Sequence, residues 1–409
     1  MPAPAPMRQS RLEFILMISG VMTLVAFAID SMLPALPMIG KSLAVADPAD
    51  WPMVISAFLG GFGISLLFIG TLSDRFGRRG LLLGSLLGFA AMSVAASYAP
   101  SFEWLLIARA LQGMAAAGGQ VLVRALVRDL YDGREMAQIM SFAGMFFMVG
   151  PIIAPSMGQI VLSFAPWPWI FTVLAALGLA MFLWCLVRME ETLAIEKRRP
   201  IEVNVVKEAA GIVLTDRLSL GYTLAQAAVL CGLFGFLTSV QAIFDRSFGV
   251  PEFLPTGFAI MASGMMAASL LNANIVKRFG MRMISHCAMI AFTAVAAFHA
   301  FYAWSGYETL FSFVLLQTLM MLAFPLVGGN FQAMSMERMG RVAGTASSVQ
   351  GFIINLISTL GGIVIGRSYD GSTVPLYIGI TVFGLIAILI VYITEQGHLF
   401  VARNSPAGE

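Results

Sequence analysis

The stretch Gly70-Thr71-Leu72-Ser73-Asp74-Arg75-Phe76-Gly77-Arg78-Arg79-Gly80-Leu81-Leu82-Leu83 decides the fold. It interrupts two long apolar runs with one acid and three arginines between positions 74 and 79. Such a segment is too short to be a domain and too charged to lie in lipid. It reads as a tight loop joining two membrane helices on the side that retains positive charge. Gly70 ends the incoming helix without a side chain, so a neighbour can approach closely. Gly77 turns the chain at low steric cost.

The composition agrees. The 409 residues are 59% hydrophobic and 11% charged, with a mean hydropathy of +0.87, which excludes an ordinary soluble protein. A spanning helix needs about 20 apolar residues. Apolar runs fall near 13–39, 52–72, 81–99, 102–126, 136–163 and 167–188, and again near 218–244, 253–276, 283–304, 308–334, 342–366 and 374–395. The expected fold is an all-α membrane protein of twelve transmembrane helices. The net charge of +2, without a basic tract carrying interleaved aromatics, gives no sign of nucleic-acid binding. Cys185, Cys231 and Cys287 have no ligand spacing and read as buried free thiols. His286, His299 and His398 form no cluster in sequence, so neither a metal nor a cofactor is expected.

Lys and Arg positions set the expected orientation. Of 24 such residues, only Lys41, Arg246 and Arg367 fall in loops on one side, and Arg109 lies inside a helix. The other 20 lie on the opposite side, which places both termini in the cytoplasm. Met1 to Gln9 is proline-rich and reads as a disordered tip. No cleavage site ends the first apolar run, which reads as a retained helix. The mixed-charge interval 189–217 reads as a solvated linker carrying a pair of short surface helices, between a six-helix half at 1–188 and another at 218–409. An internal repeat supports the halves. Arg75-Phe76-Gly77-Arg78-Arg79 recurs as Arg278-Phe279-Gly280-Met281-Arg282, and Gly118-Gly119 as Gly328-Gly329. The second copy lacks an acid equivalent to Asp74.

Asp30 is the carboxylate placed deepest in any span. Sixteen residues from Phe14 set it roughly 24 Å from the cytoplasmic face, in a core about 30 Å thick. An ionised aspartate at the membrane centre costs roughly 2.5–3.5 kcal/mol, which marks this one as functional. Arg109, about seven residues into the descending fourth span, sits roughly 10 Å in, at similar depth. The two can pair if the first and fourth helices face each other. Gly150-Pro151 and Pro155-Ser156-Met157-Gly158 in the fifth span combine donor-less prolines, which bend a helix, with glycines that permit tight packing. Gly40-Lys41-Ser42 is similar to the tail of a phosphate loop, but Ala35 stands where its first glycine belongs and no strand precedes it. Without a nucleotide site, any work done across the membrane draws on an ion gradient, worth about 2.3 kcal/mol per charge per 100 mV.

The opening stretch resembles the loop between helices 2 and 3 of the major facilitator superfamily, Gly-x-Leu-x-Asp-Arg-x-Gly-Arg-Arg/Lys, matched by Gly70, Leu72, Asp74, Arg75, Gly77, Arg78 and Arg79. Arg109, Gln112 and Gly113 resemble that family's fourth-helix Arg-x-x-Gln-Gly, whose arginine is linked to proton coupling. The fifth-span segment is similar to the antiporter signature Gly-Pro-x-x-Gly-Gly, with Ala154 and Pro155 in place of the two glycines. Asp30-Ser31-Met32-Leu33-Pro34-Ala35-Leu36-Pro37 resembles the end of helix 1 in the drug/proton antiporters of the bicyclomycin/chloramphenicol-resistance group, as does Ala343-Gly344-Thr345-Ala346-Ser347-Ser348 at the start of helix 11. The resemblance implies two six-helix repeats around a central cavity in a bacterial inner membrane. It implies a proton-driven exporter of small, largely apolar antibiotics, functional as a monomer, with only substrate, protons and lipid as partners.

Asp30 and Arg109 are then expected to couple protons. Phe27, Gln112, Met145, Met148, Phe234, Gln241, Gln317 and Asn355 are expected to line the cavity, since methionine-rich surfaces accommodate many shapes. The loop Gly70, Asp74, Arg75, Gly77, Arg78 and Arg79 is expected to gate the inner side, with Asp74 docking at the start of helix 11. Gly150, Pro151, Pro155 and Gly158 are expected to form a hinge. Export of one endogenous metabolite, a sugar or amino-acid derivative, stands as the alternative. An enzyme lacks a second deep carboxylate or a nearby histidine beside Asp30.

Overall fold

The computed structural model describes residues 10–131, 133–193, 196, 198 and 203–400; the expected disordered tip, Met1 to Gln9, lies outside them. Among the described residues, twelve helical stretches are long and apolar enough to cross a membrane. The chain divides into two compact units, Met1–Val206 with Leu254–Phe258, and Lys207–Phe253 with Ala259–Glu409.

In the first unit α1 (Arg11–Asp30) stops at the acid and gives way to a 3-10 turn over Leu33–Ala35 and then α2 (Leu36–Ser42). Asp30 is therefore the last residue of a helix and does not lie inside an unbroken one as expected. Pro34 and Pro37 lack the N–H groups that would continue the ladder. There follow α3 (Met53–Phe76), α4 (Arg78–Ser97), α5 (Phe102–Leu130), α6 (Gly133–Leu162) and α7 (Pro168–Arg188). Despite Pro151 and Pro155 inside it, α6 runs as one continuous helix.

Helix α5 packs on α3 and α4, α4 on α7, and α1 on α6. The α3–α5 crossing is close because both sides are bare. A Cβ on Gly61 would overlap the backbone of Ala110, and one on Gly113 the backbone of Phe58. Small residues at such crossings let backbones pack where lipid supplies no hydrophobic drive.

The interval between the halves contributes α8 (Val203–Thr215), one helix among the described residues where a pair was expected. In the second unit α9 (Arg217–Ala242), extended by a π turn over Ile243–Ser247, is the central element, packed by α13, α14 and α15. Around it stand α10 (Leu254–Phe279), α11 (Met281–Trp304), α12 (Leu310–Met321), α13 (Ala323–Ser335), α14 (Ala343–Arg367) and α15 (Val374–Thr394). Helices α12 and α13 form one span interrupted at Leu322, with Pro325 just beyond the break.

The outer faces are apolar. Ile378, Val382, Leu385, Leu389 and Ile393 make an exposed stripe along one side of α15, at the spacing of a single helical face. Such a stripe belongs in lipid, where backbone polar groups are satisfied internally and the side chains need no cover. Cys185 and Cys231 are buried as expected, but Cys287 is exposed, because it shares a face of α11 with the exposed Met283 and Ile290.

The internal repeat is visible in the backbone. Gly77 (φ 93°, ψ 162°) separates α3 from α4, and Gly280 (φ 79°, ψ 156°) separates α10 from α11. Both sit where an L side chain is strained.

Replacing Gly113 with Val should force α3 and α5 apart and cost about 1–3 kcal/mol. Gly84→Ala, where nothing lies within 4 Å of the new Cβ, should leave the melting temperature in detergent unchanged. Equal melting temperatures for the two variants would contradict this packing.

Candidate functional site

The residues expected to couple protons converge where α1 breaks. The last carbonyls of a helix have no partner within it. At the end of α1, Phe27 O accepts from the Ser31 backbone N–H at 3.2 Å and from its hydroxyl at 2.6 Å. Ala28 O accepts from Nη2 of Arg109 at 2.9 Å. The guanidinium thus lies at the negative end of the α1 dipole, where a cation is favoured. Its Nε donates to Val54 O on α3 at 3.0 Å, and Nη1 to Oε1 of Gln112 at 2.6 Å. The plane rests over the ring of Phe58, 4.5 Å from its centroid, with Phe171 of α7 at 5.8 Å. Gln112 passes the chain on, donating to Ser93 Oγ of α4 at 2.6 Å. This knot ties α1, α3, α4 and α5 together, and both Arg109 and Gln112 are 0% exposed.

Arg109 therefore bonds α1 two residues before Asp30, but among the described residues the two do not pair: the guanidinium's bonds go to two backbone carbonyls and a glutamine. Asp30 is 4% exposed, and among the described residues none forms a hydrogen bond or ion pair with its carboxylate. Close by, Gly158 of α6 leaves room for the break, since a Cβ there would overlap Ser31 O and press on Pro34. Gly150 does the same against Thr23 and Ala26. The fifth-span signature is thus packed against the stretch of the first span that flanks the acid.

The loop residues form a second cluster. Arg78, buried, donates from Nη1 to Asp74 Oδ1 at 2.6 Å and to Ser73 Oγ, and from Nε to Asp129 Oδ2 of α5 at 3.0 Å. Glu191, just past α7, accepts from the backbone N–H of Arg78 at 2.8 Å and of Arg79 at 3.3 Å, so it caps the start of α4. Arg79 in turn caps the end of α7, donating to Leu186 O at 2.8 Å and Met189 O at 2.7 Å. Gly77 serves twice: its φ suits glycine, and a Cβ would enter the space of the Glu191 carboxylate. Arg75 is exposed, its charge over the Phe76 ring. The linker's beginning is therefore bolted onto the loop and is not simply solvated.

The second unit repeats this plan with different acids. Arg282 donates from Nε to Glu395 at 2.8 Å and from Nη2 to Glu337 at 3.0 Å. The Tyr222 hydroxyl donates to the same Glu395 oxygen at 2.5 Å. Glu191 and Glu395 follow the sixth and twelfth spans, a correspondence that the sequence reading missed and that pairing the two halves would have exposed.

The expected cavity residues are divided between the two units, Phe27, Gln112, Met145 and Met148 in the first and Phe234, Gln241, Gln317 and Asn355 in the second. Gln112 belongs to the arginine knot. Gln317 is also buried and accepts from the Tyr377 hydroxyl at 3.0 Å. Gln241 lies near Asp245, 3.4 Å away, and Asn355 accepts from Thr359 at 3.4 Å. Phe27, Met148 and Phe234 are half-buried and Met145 is exposed. Four apolar side chains thus remain available, and two of the four polar handles are committed inside their own bundles.

A family model described as the Major Facilitator Superfamily matches residues 18–362. An uncharacterised MFS-type transporter, YdgK, of Bacillus subtilis is 29% identical over 381 residues, covering 91% of this chain and 92% of that protein. A bicyclomycin resistance protein homologue of Haemophilus influenzae is 26% identical over 96% of this chain and 98% of its own length. The solved xylose transporter XylE from E. coli, in a partially occluded inward-open conformation, superposes with a TM-score of 0.74 at 12% identity, covering 93% of this chain and 97% of that one; at that identity the likeness shows the fold.

Lysine keeps the charge of Arg109 but not its planar fork. Arg109→Lys should leave carbonyl or amide partners unmatched and cost about 1–3 kcal/mol, read as a lower melting temperature at every pH. A variant as stable as wild type would show that the knot does not hold the unit together.

Proposed function

The chain belongs to the major facilitator superfamily, and from that premise we propose that it is a drug/proton antiporter in which Asp30 carries the proton. It is a multi-pass membrane transporter of small molecules. The observation that carries the proposal is Asp30 itself: a buried acid at a helix break, without an ionic partner among the described residues. A charge held there is costly, so the site favours exchange of a proton over permanent ionisation. The bicyclomycin-resistance name of a full-length relative and the apolar side chains of Phe27, Met145, Met148 and Phe234 support small, largely apolar antibiotics as cargo.

The mechanism follows from competition. Proton loading neutralises Asp30; substrate entering beside the α1 break displaces that proton, so the two ligands exclude each other. Linkage makes the effect reciprocal, and export by alternating access then runs down the proton gradient. Arg109 is a positioning residue in this scheme, since its bond to Ala28 O fixes the helix end two residues before the acid. The cluster of Asp74, Arg78, Arg79, Asp129 and Glu191 serves as the inner gate, with both termini cytoplasmic. The protein acts as a monomer.

Drug added to purified protein in weakly buffered detergent should release protons, and Asp30→Asn should abolish that release while binding of neutral compounds persists. Undiminished release from the variant would remove Asp30 from the coupling step.

A further inference from the structure

The second unit holds a buried acid–base pair to which the scheme above assigns no role. Near the end of α11, His299 Nε2 lies 2.6 Å from Glu308 Oε1, the histidine side chain 0% and the glutamate 10% exposed. The other carboxylate oxygen accepts from the Thr373 hydroxyl at 2.5 Å, and Thr373 is the N-cap residue immediately before α15. The imidazole stacks on Tyr377, ring centroids 3.5 Å apart and planes 22° apart. Phe313 of α12 lies against it at 6.0 Å. The remaining ring nitrogen, Nδ1, is buried and has no hydrogen-bond partner among the described residues.

Charge accounting gives this arrangement a direction. With Nε2–H donating to an ionised Glu308 and Nδ1 bare, the pair carries a net charge of −1. From the neighbouring elements, Tyr377 is the one further titratable group in contact among the described residues, α12 presents Phe313, and the Gln317 amide lies beyond the Tyr377 hydroxyl. No arginine or lysine among the described residues pairs with Glu308. Buried ionisable groups in a membrane protein are functional by default, and a histidine changes charge in the physiological range. One incoming proton has a vacant acceptor, Nδ1. Its arrival makes an imidazolium whose Nε2–H still faces the carboxylate, and the pair becomes neutral.

We propose that His299 and Glu308 form a second proton-binding site, in the C-terminal half, loaded from the outer solution through the partly exposed Glu308. The assignment of the outer side rests on the orientation proposed above. The pair bridges the end of α11, the turn before α12 and the start of α15, so the charge of the site is coupled to how those three ends are held.

The test is a ring-nitrogen NMR titration of 15N-histidine-labelled full-length protein in lipid nanodiscs, which reads His299 without reference to transport. The chain has three histidines. Removal of the exposed His398 and, separately, of His286 assigns the His299 signal without altering it; His299→Gln confirms the assignment if that variant folds. The His299 signals should move from neutral to imidazolium between pH 8 and pH 5, and Glu308→Gln should take that transition out of the window. A single neutral tautomer across the whole range overturns the proposal, as does a transition unaffected by Glu308→Gln. Neither result depends on whether Asp30 carries the transported proton.

Discussion

Inside a bilayer a charged group has no bulk water to fall back on, and how each charge is satisfied organises this protein. Arg109 is matched by two carbonyls and a glutamine, and its place at the C-terminal end of α1 adds the helix dipole to those bonds. Arg78 is held by Asp74 and Asp129, and Arg282 by Glu337 and Glu395. Breaking a buried pair by removing one partner costs more than the pair contributes, so these arginines fix where their helices meet. Asp30 differs from them. It is as buried as they are and has no such match among the described residues, which is why the proton-carrying role is proposed for it.

The two halves solve the same problem at corresponding places. A glycine with positive φ ends one helix and begins the next, an arginine follows, and a glutamate from beyond the last span of that half reaches it or its backbone. In the first half Glu191 takes the amide hydrogens of Arg78 and Arg79, and Arg78 finds its acids on α3 and α5. In the second half Glu395 takes the guanidinium of Arg282 directly. The missing counterpart of Asp74 in the second loop is thus made good by acids from two other segments.

Much of this was legible in the sequence. Charge density in Asp74 to Arg79 marked the boundary between two spans, although the break is Gly77 alone, with Asp74 to Phe76 closing α3 and Arg78 opening α4; the apolar runs gave twelve spans, and the repeated Arg-Phe-Gly marked the halves. The break at Asp30 was also written there, in Pro34 and Pro37, although hydropathy alone merges α1 and α2 into one run. What could not be read was which face of each helix turns inward. A membrane helix is apolar on the lipid side as well as in the bundle, so periodicity does not separate the two. Gln112 and Gln317 were accordingly expected to face a cavity, whereas their partners are Arg109, Ser93 and Tyr377. Glu191 and Glu395 were passed over because they lie outside the spans, and their contacts cross 112 residues or more of chain.

The account stands on exchange of drug for proton, and imposed gradients test that directly. In proteoliposomes of wild-type protein with no initial drug gradient, an acidic lumen should draw labelled drug inward, and an acidic exterior should draw it out of preloaded vesicles. Drug should move toward the acidic compartment in both arrangements. Drug movement indifferent to the sign of the pH difference, or following the proton into the alkaline compartment, would contradict antiport and with it the role given to Asp30.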